Sequence, residues 1–136
     1  NNRKNNNNNS NKGNNNGIPP LTAFAKDGVT CIFNFAKTQK PGVTRISATF
    51  SNSTTDRINE FAFLVAVPKY IKLQIKPANG NILQGMNGNK INQKFQLTNN
   101  QHGNKPLMIK IQISYKKNGN KVTEIDQVKF PSNVTQ

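Results

Sequence analysis

Leu107-Met108-Ile109-Lys110-Ile111-Gln112-Ile113-Ser114-Tyr115, followed by Lys116-Lys117 and then Asn118-Gly119, is the stretch that decides the fold. Leu107, Ile109, Ile111 and Ile113 recur at every second position, with polar or flexible residues between them. Successive side chains on a strand point to opposite faces, so this pattern predicts a half-buried antiparallel strand. Its apolar face holds the leucine and the three isoleucines, and Met108, Lys110 and Gln112 face outward. Asn118-Gly119 supplies the two positive φ angles of a type I′ turn, and Val122 beyond it begins a return strand. It is the strongest hairpin signal in the chain.

The same period of two recurs towards the N-terminus. Ile71, Leu73 and Ile75 alternate with Lys72 and Gln74, and Phe61, Phe63, Val65 and Val67 alternate with Ala62, Leu64 and Ala66. Ile46, Ala48 and Phe50 alternate with Ser47 and Thr49, and Ile91, Phe95 and Leu97 follow the period less strictly. Val29, Cys31, Phe33 and Phe35 also alternate, though Ile32 mixes the pattern. No window shows a 3.6-residue period. Lys40-Pro41-Gly42 and Asn87-Gly88 are turn signals, and Asp27-Gly28 reads as a turn. Seven or eight short strands at this spacing predict an all-β sandwich.

Composition divides the chain in two. Residues 1–17 contain 11 asparagines and no hydrophobic side chain. Such a tract cannot bury enough surface to offset its ordering entropy, so a flexible polar segment is expected there. The shift at Gly17 and Ile18-Pro19-Pro20 marks the start of a folded domain over 18–136. Lys and Arg number 19 against 5 Asp and Glu, a net charge of +14. Arg3, Lys4 and Lys12 lie in the tract, so the body carries +11. Such an excess speaks to solubility and partners rather than to fold. No apolar run reaches the roughly 18 residues of a membrane span, and no apolar leader opens the chain. The single cysteine, Cys31, lies in an apolar run and reads as a buried structural thiol. These features point to a cytosolic chain, and its first residue, Asn1, to a piece of something longer.

Little here carries reaction chemistry. The one histidine, His102, sits in the polar loop 99–104 and is expected to be exposed. Glu124 and Asp126 share one face of a late strand, which reads as a solvated face near lysines rather than an acid–base pair. There is no cluster of His, Cys and carboxylate for a metal and no phosphate-cradling glycine loop. No cofactor is implied and an enzyme is not expected. What remains is binding. Pro68 cannot donate to a ladder, so it marks an edge, bulge or strand end after Ala66-Val67. On the later strand a soft apolar side chain, a cation and an amide stand in line: Met108, Lys110 and Gln112.

The residues that carry a resemblance run through the whole body. Ile18-Pro19-Pro20-Leu21-Thr22-Ala23-Phe24, Lys26-Asp27-Gly28-Val29, Ser51-Asn52-Ser53-Thr54, Phe61-Ala62-Phe63, Ala66-Val67-Pro68-Lys69, Leu73-Gln74, Ile111, Tyr115 and Phe130-Pro131 follow in order. In this order the chain resembles the ear domain of γ-adaptin, and the ear domains of GGA adaptor proteins share the fold and groove. The resemblance implies an all-β, immunoglobulin-like β-sandwich of about eight strands and a recruitment module on a clathrin adaptor. It also implies a location in the cytoplasm, peripheral at the trans-Golgi network, endosomes and coated vesicles. Partners would be accessory proteins carrying short aromatic-Gly-x-apolar motifs with acids nearby, of the D-F-G-x-F type. Carried over residue by residue, the implied groove uses Ala66 and Lys69, with Pro68 between them, and Ile75 where the family has Leu. Met108, Lys110 and Gln112 stand where the family places three cations, and Gln127 stands for a family Glu. One of three cations survives, which predicts less acidic or differently flanked motifs, since Met cannot stack a guanidinium on a ring.

Two rivals use the charge itself: a basic β-domain that binds nucleic acid, and one that binds an anionic lipid surface. Lys69-Tyr70 and Tyr115-Lys116-Lys117 set aromatics beside bases. No nucleic-acid recognition motif appears, and the lysines are spread along the chain.

Overall fold

The structure, a computed structural model, describes residues 18–36, 38 and 40–131. The tract at 1–17 lies outside the described residues, as does the end of the expected domain at 132–136. Eight strands occur in order: β1 Leu21–Lys26, β2 Val29–Ala36, β3 Val43–Asn52, β4 Ile58–Ala66, β5 Ile71–Ile75, β6 Ile91–Asn99, β7 Met108–Lys117 and β8 Asn120–Lys129. They form an antiparallel five-stranded sheet in the order β1-β2-β3-β6-β5 and a three-stranded one in the order β4-β7-β8. The expected eight-stranded sandwich is the fold.

The alternation that predicts each strand also builds the core. From the large sheet Val29, Cys31, Phe33, Ile46, Ala48, Phe50, Ile91, Phe95 and Leu97 point inward. From the small sheet come Ile58, Phe61, Phe63, Ile109, Ile111, Ile113 and Tyr115. Aromatic rings join the layers. Phe63 of the small sheet meets Phe33 edge-on at 6.3 Å and Phe50 at 5.0 Å, and Phe95, in the same sheet as Phe33, meets that ring edge-on at 5.4 Å. Such offset and edge contacts are the arrangements rings prefer, worth about 0.5–1.5 kcal/mol each beyond area burial.

The turns obey their chemistry. Asn118 and Gly119 take φ of 53° and 78° between β7 and β8, and Asp27 and Gly28 take 53° and 82° between β1 and β2. Both are two-residue turns of the kind Asn-Gly and Asp-Gly favour. At Lys40-Pro41-Gly42, Gly42 takes φ 81° and the Val43 amide donates to the Lys40 carbonyl. The turn expected at Asn87-Gly88 falls one residue earlier. Met86 and Asn87 carry φ of 57° and 55°, and the Gly88 amide closes on the Gly85 carbonyl. The reason is tertiary. Gly85 lies against the Thr54–Thr55 backbone, where an added Cβ would come within 2.5 Å of the Thr55 carbonyl oxygen. That contact fixes the loop ahead of the Asn-Gly pair.

Asn52 ties this corner together. Its Nδ2 donates to the carbonyls of Asp56 and Leu83, and its Oδ1 accepts from the Thr54 amide and hydroxyl. It is fully buried. A bulge in β4, with Glu60 at φ 53°, sets the phase of the rest of that strand. Beyond it Phe61 and Phe63 face inward, and Ala62, Leu64 and Ala66 face outward.

Candidate functional site

The outer face of the three-stranded sheet holds most of the expected groove. Its register sets side chains in cross-strand rows. Ala66 on β4 lies opposite Lys110 on β7, which lies opposite Gln127 on β8. One row away, Leu64, Gln112 and Ile125 stand side by side. On the other side Met108 faces Lys129, and its sulfur accepts a hydrogen bond from the Gln127 Nε2 at 2.9 Å. Five of the eight expected residues are thus brought together: Ala66, Met108, Lys110, Gln112 and Gln127. Ala66 and Lys110 are exposed, and Met108 and Gln112 are half-buried.

Pro68 and Lys69 lie in the connection that leaves this face. Pro68 comes after the end of β4, as a residue with no amide hydrogen should, and its carbonyl accepts from the Ile71 amide at 3.0 Å. Tyr70 anchors the connection. Its hydroxyl donates to the Pro106 carbonyl at 2.8 Å, its own carbonyl accepts from the Asn100 amide, and the Lys105 ammonium sits 5.1 Å from its ring centre. Lys69 therefore projects from an anchored turn. Ile75 belongs to the other sheet, paired with Phe95 on β6. It is 40% exposed and lines a concavity on that sheet.

Sequence reasoning missed Leu64 and Ile125, which are 57% and 67% exposed and flank Gln112. Leu64 was visible as the large apolar residue at an outward position of β4. The signal for Ile125 was the Asn118-Gly119 turn, whose two-residue register puts Gln112 and Ile125 side by side on the outward face. Glu124 and Asp126 pair with the inward-facing Ile113 and Ile111. They lie on the inward side of this edge strand, where Asp126 is exposed and Glu124 partly exposed beside a lysine, the solvated setting expected of them, and this leaves Ile125 on the outer face. Glu124 accepts from the Lys26 ammonium at 3.0 Å, joining the edge strand of one sheet to that of the other. The carboxylate raises the Lys26 pKa through this bond. Inward charges on an edge strand also discourage pairing with another chain.

His102 is exposed, as expected. Cys31 is buried between the sheets, and burial pushes its thiol pKa up.

The fold is a two-sheet β-sandwich, and the outer face of its small sheet mixes apolar and basic side chains. Residues 19–131 match the Adaptin C-terminal domain family, and the chain belongs to that family. It is 40% identical over 115 residues to the AP-1 complex subunit gamma-2 of Arabidopsis thaliana, covering 83% of this chain and 13% of that protein. It is 26% identical over 124 residues to the ADP-ribosylation factor-binding protein GGA2 of Mus musculus, covering 85% of this chain and 20% of that protein. The chain therefore spans a small part of the curated relatives it matches. Among solved structures, the GAE domain of yeast GGA1 superposes with a TM-score of 0.74 at 26% identity, covering 83% of this chain and 99% of that one. This is a γ-adaptin ear-type domain. Domains of this kind are protein-interaction modules, not enzymes, and the family places the chain among clathrin-adaptor appendages.

Proposed function

We propose that this ear domain recruits accessory proteins to clathrin coats at the trans-Golgi network and endosomes by binding short aromatic-Gly-x-apolar motifs. The carrying observation is the outer face of β4, β7 and β8. There the small Ala66, the soft Met108 and the exposed Leu64 and Ile125 surround Lys110, Gln112 and Gln127. The two bulky residues of the motif are three apart, about 10 Å along an extended chain, and a regular strand would turn them to opposite faces. The glycine between them frees the backbone from that alternation, so both can be turned onto this face. Lys110 between them and Lys69 at its end attract flanking acids. Pro68 holds the turn that presents Lys69, and Ile75 is the residue of the inherited groove that stands on the other sheet.

Ala66→Asp tests the reading. The substitution sets a carboxylate where the ligand ring would cover it, and an unpaired charge so covered costs several kcal/mol. Binding of a D-F-G-x-F peptide should be lost by calorimetric titration, with thermal unfolding unchanged because Ala66 faces solvent. A folded mutant that binds normally would falsify the placement.

A further inference from the structure

The outer face of the five-stranded sheet is a second surface, on the opposite layer from Ala66 and Lys110. Ladder pairing sets Asn34, Ser47 and Lys94 in one row and Arg45, Gln96 and Gln74 in the next. Lys76 extends the first row. Its amide donates to the Lys94 carbonyl at 2.9 Å, so the two lysines stand opposite each other just beyond the paired end of β5. Together these residues line a concavity of about 670 Å³, a volume in the range of ligand sites.

Its charge is one-sided. All five acids lie elsewhere: Asp27 in the β1–β2 turn, Asp56 between β3 and β4, Glu60 on β4, and Glu124 and Asp126 on β8. The two ion pairs among the described residues, Lys26–Glu124 and Lys116–Glu60, leave Lys76, Lys94 and Arg45 without a carboxylate. Like charges directly opposite on a ladder are destabilising, so the sheet holds Lys76 beside Lys94 against its own stability. Arg45 is oriented as well. Its Nε donates to Gln96 Oε1 at 3.0 Å, and Gln96 Nε2 donates on to Gln74 Oε1 at 3.3 Å. This leaves the terminal guanidinium nitrogens for a planar anion, the geometry that suits a carboxylate.

We infer that this concavity binds an acidic, extended peptide segment, with Arg45, Lys76 and Lys94 holding its carboxylates and Gln74, Gln96, Asn34 and Ser47 meeting its backbone. A peptide fits better than a membrane. A flat bilayer cannot follow a concave surface, whereas an extended chain can lie across it and bond the side-chain amides of Gln74, Gln96 and Asn34.

The test uses the whole domain, a labelled oligoglutamate peptide, an oligoglutamine of the same length, and vesicles of phosphatidylcholine with phosphatidylserine. Oligoglutamate should bind by fluorescence anisotropy and oligoglutamine should not. The variant R45Q/K76A/K94A should weaken oligoglutamate binding at least about tenfold, as three charge-assisted contacts imply. The variant K40A/K117A/K121A, equal in charge lost, should not. Titration with D-F-G-x-F peptide should be the same in wild type and in R45Q/K76A/K94A, which separates this site from the face around Lys110. If R45Q/K76A/K94A unfolds at assay temperature, Lys94→Ala alone carries the comparison, expected to weaken binding a few-fold. Equal loss in the two triple variants means diffuse charge attraction and overturns the proposal. So does binding to vesicles without binding to oligoglutamate, which would make the surface a lipid contact.

Discussion

Met86 shows how a single residue carries strain imposed from elsewhere. It is 71% exposed, contributes no packing, and is held at φ 57° because Gly85 must lie against the Thr54–Thr55 backbone. The left-handed region costs an L-residue about 1–2 kcal/mol, and glycine avoids that cost while losing about 0.5–1 kcal/mol of chain entropy. Met86→Gly should therefore stabilise the domain slightly, raising Tm by about 2–5 °C in a thermal melt. A lowered Tm would mean that the Met86 side chain packs more than its exposure indicates. The contrast with Asn52 is useful. Both occupy the same corner, but Asn52 has both ends of its amide bonded, whereas Met86 is a spectator in a backbone set by its neighbours.

At the scale of elements, the outer face of the small sheet exists because three strands agree in phase. The bulge at Glu60 turns Leu64 and Ala66 outward, the strict alternation of β7 turns Lys110 and Gln112 outward, and the inverted β8 turns Ile125 and Gln127 outward. Exposed apolar side chains gathered in one row mark a surface awaiting a partner more than scattered ones do. Replacing Leu64 and Ile125 together with Ser should weaken D-F-G-x-F binding about tenfold or more, since each loses part of the roughly 1.5–3 kcal/mol its full burial provides. Surface substitutions of this kind leave stability within about 0.5 kcal/mol, so the melt should hardly move. If binding persists while the melt collapses, both residues support the sheet rather than the ligand.

Two predictions belong to the whole molecule. The first concerns charge. Replacing Lys69 and Lys110 with Ala should reduce peptide affinity a few-fold to about tenfold, because exposed pairs contribute about 0.2–1 kcal/mol each. The salt dependence of binding should flatten with it. An unchanged slope would move the steering charge to other lysines of this +14 chain. The second concerns alkali. Among the described residues three groups have raised pKa values: Cys31 and Tyr115 chiefly by burial, and Lys26 chiefly by its hydrogen bond to Glu124. A raised value means that the unfolded chain releases its proton first, so the stability each group contributes is intact below its ordinary value and lost above it. Those ordinary values are 9.0, 10.0 and 10.5, so unfolding by urea should become easier from about pH 9 upward. In Cys31→Ala the onset should shift to about pH 10, whatever the mutation costs at neutral pH. An onset that stays at pH 9 would show that the thiol does not set it.

Several features were legible in the linear chain because their causes are local. The side-chain period of two named the strands, Asn118-Gly119 and Asp27-Gly28 carried their own positive φ angles, and Pro68 announced the end of β4 by lacking a donor. The outward placement of Ala66, Met108, Lys110 and Gln112 came from the same alternation, once the inward residues were known. Beyond the tight hairpins, local pattern has no access to which strand lies beside which. The Asn118-Gly119 turn brings Gln127 beside Lys110, but only the pairing of β4 with β7 set Ala66 on its other side, and only the sandwich put Ile75 on the other layer. The inward turn of Glu124 and Asp126 came from the register of the Asn118-Gly119 hairpin, but the partner that Glu124 finds there, Lys26 on the opposite edge, is 98 residues away in sequence. The early turn at Met86 depended on a backbone contact with Thr55. Alternation fixes which face a side chain takes relative to its own strand, but burial, exposure and neighbours are set by contacts between segments far apart in the chain, and these exist only after folding.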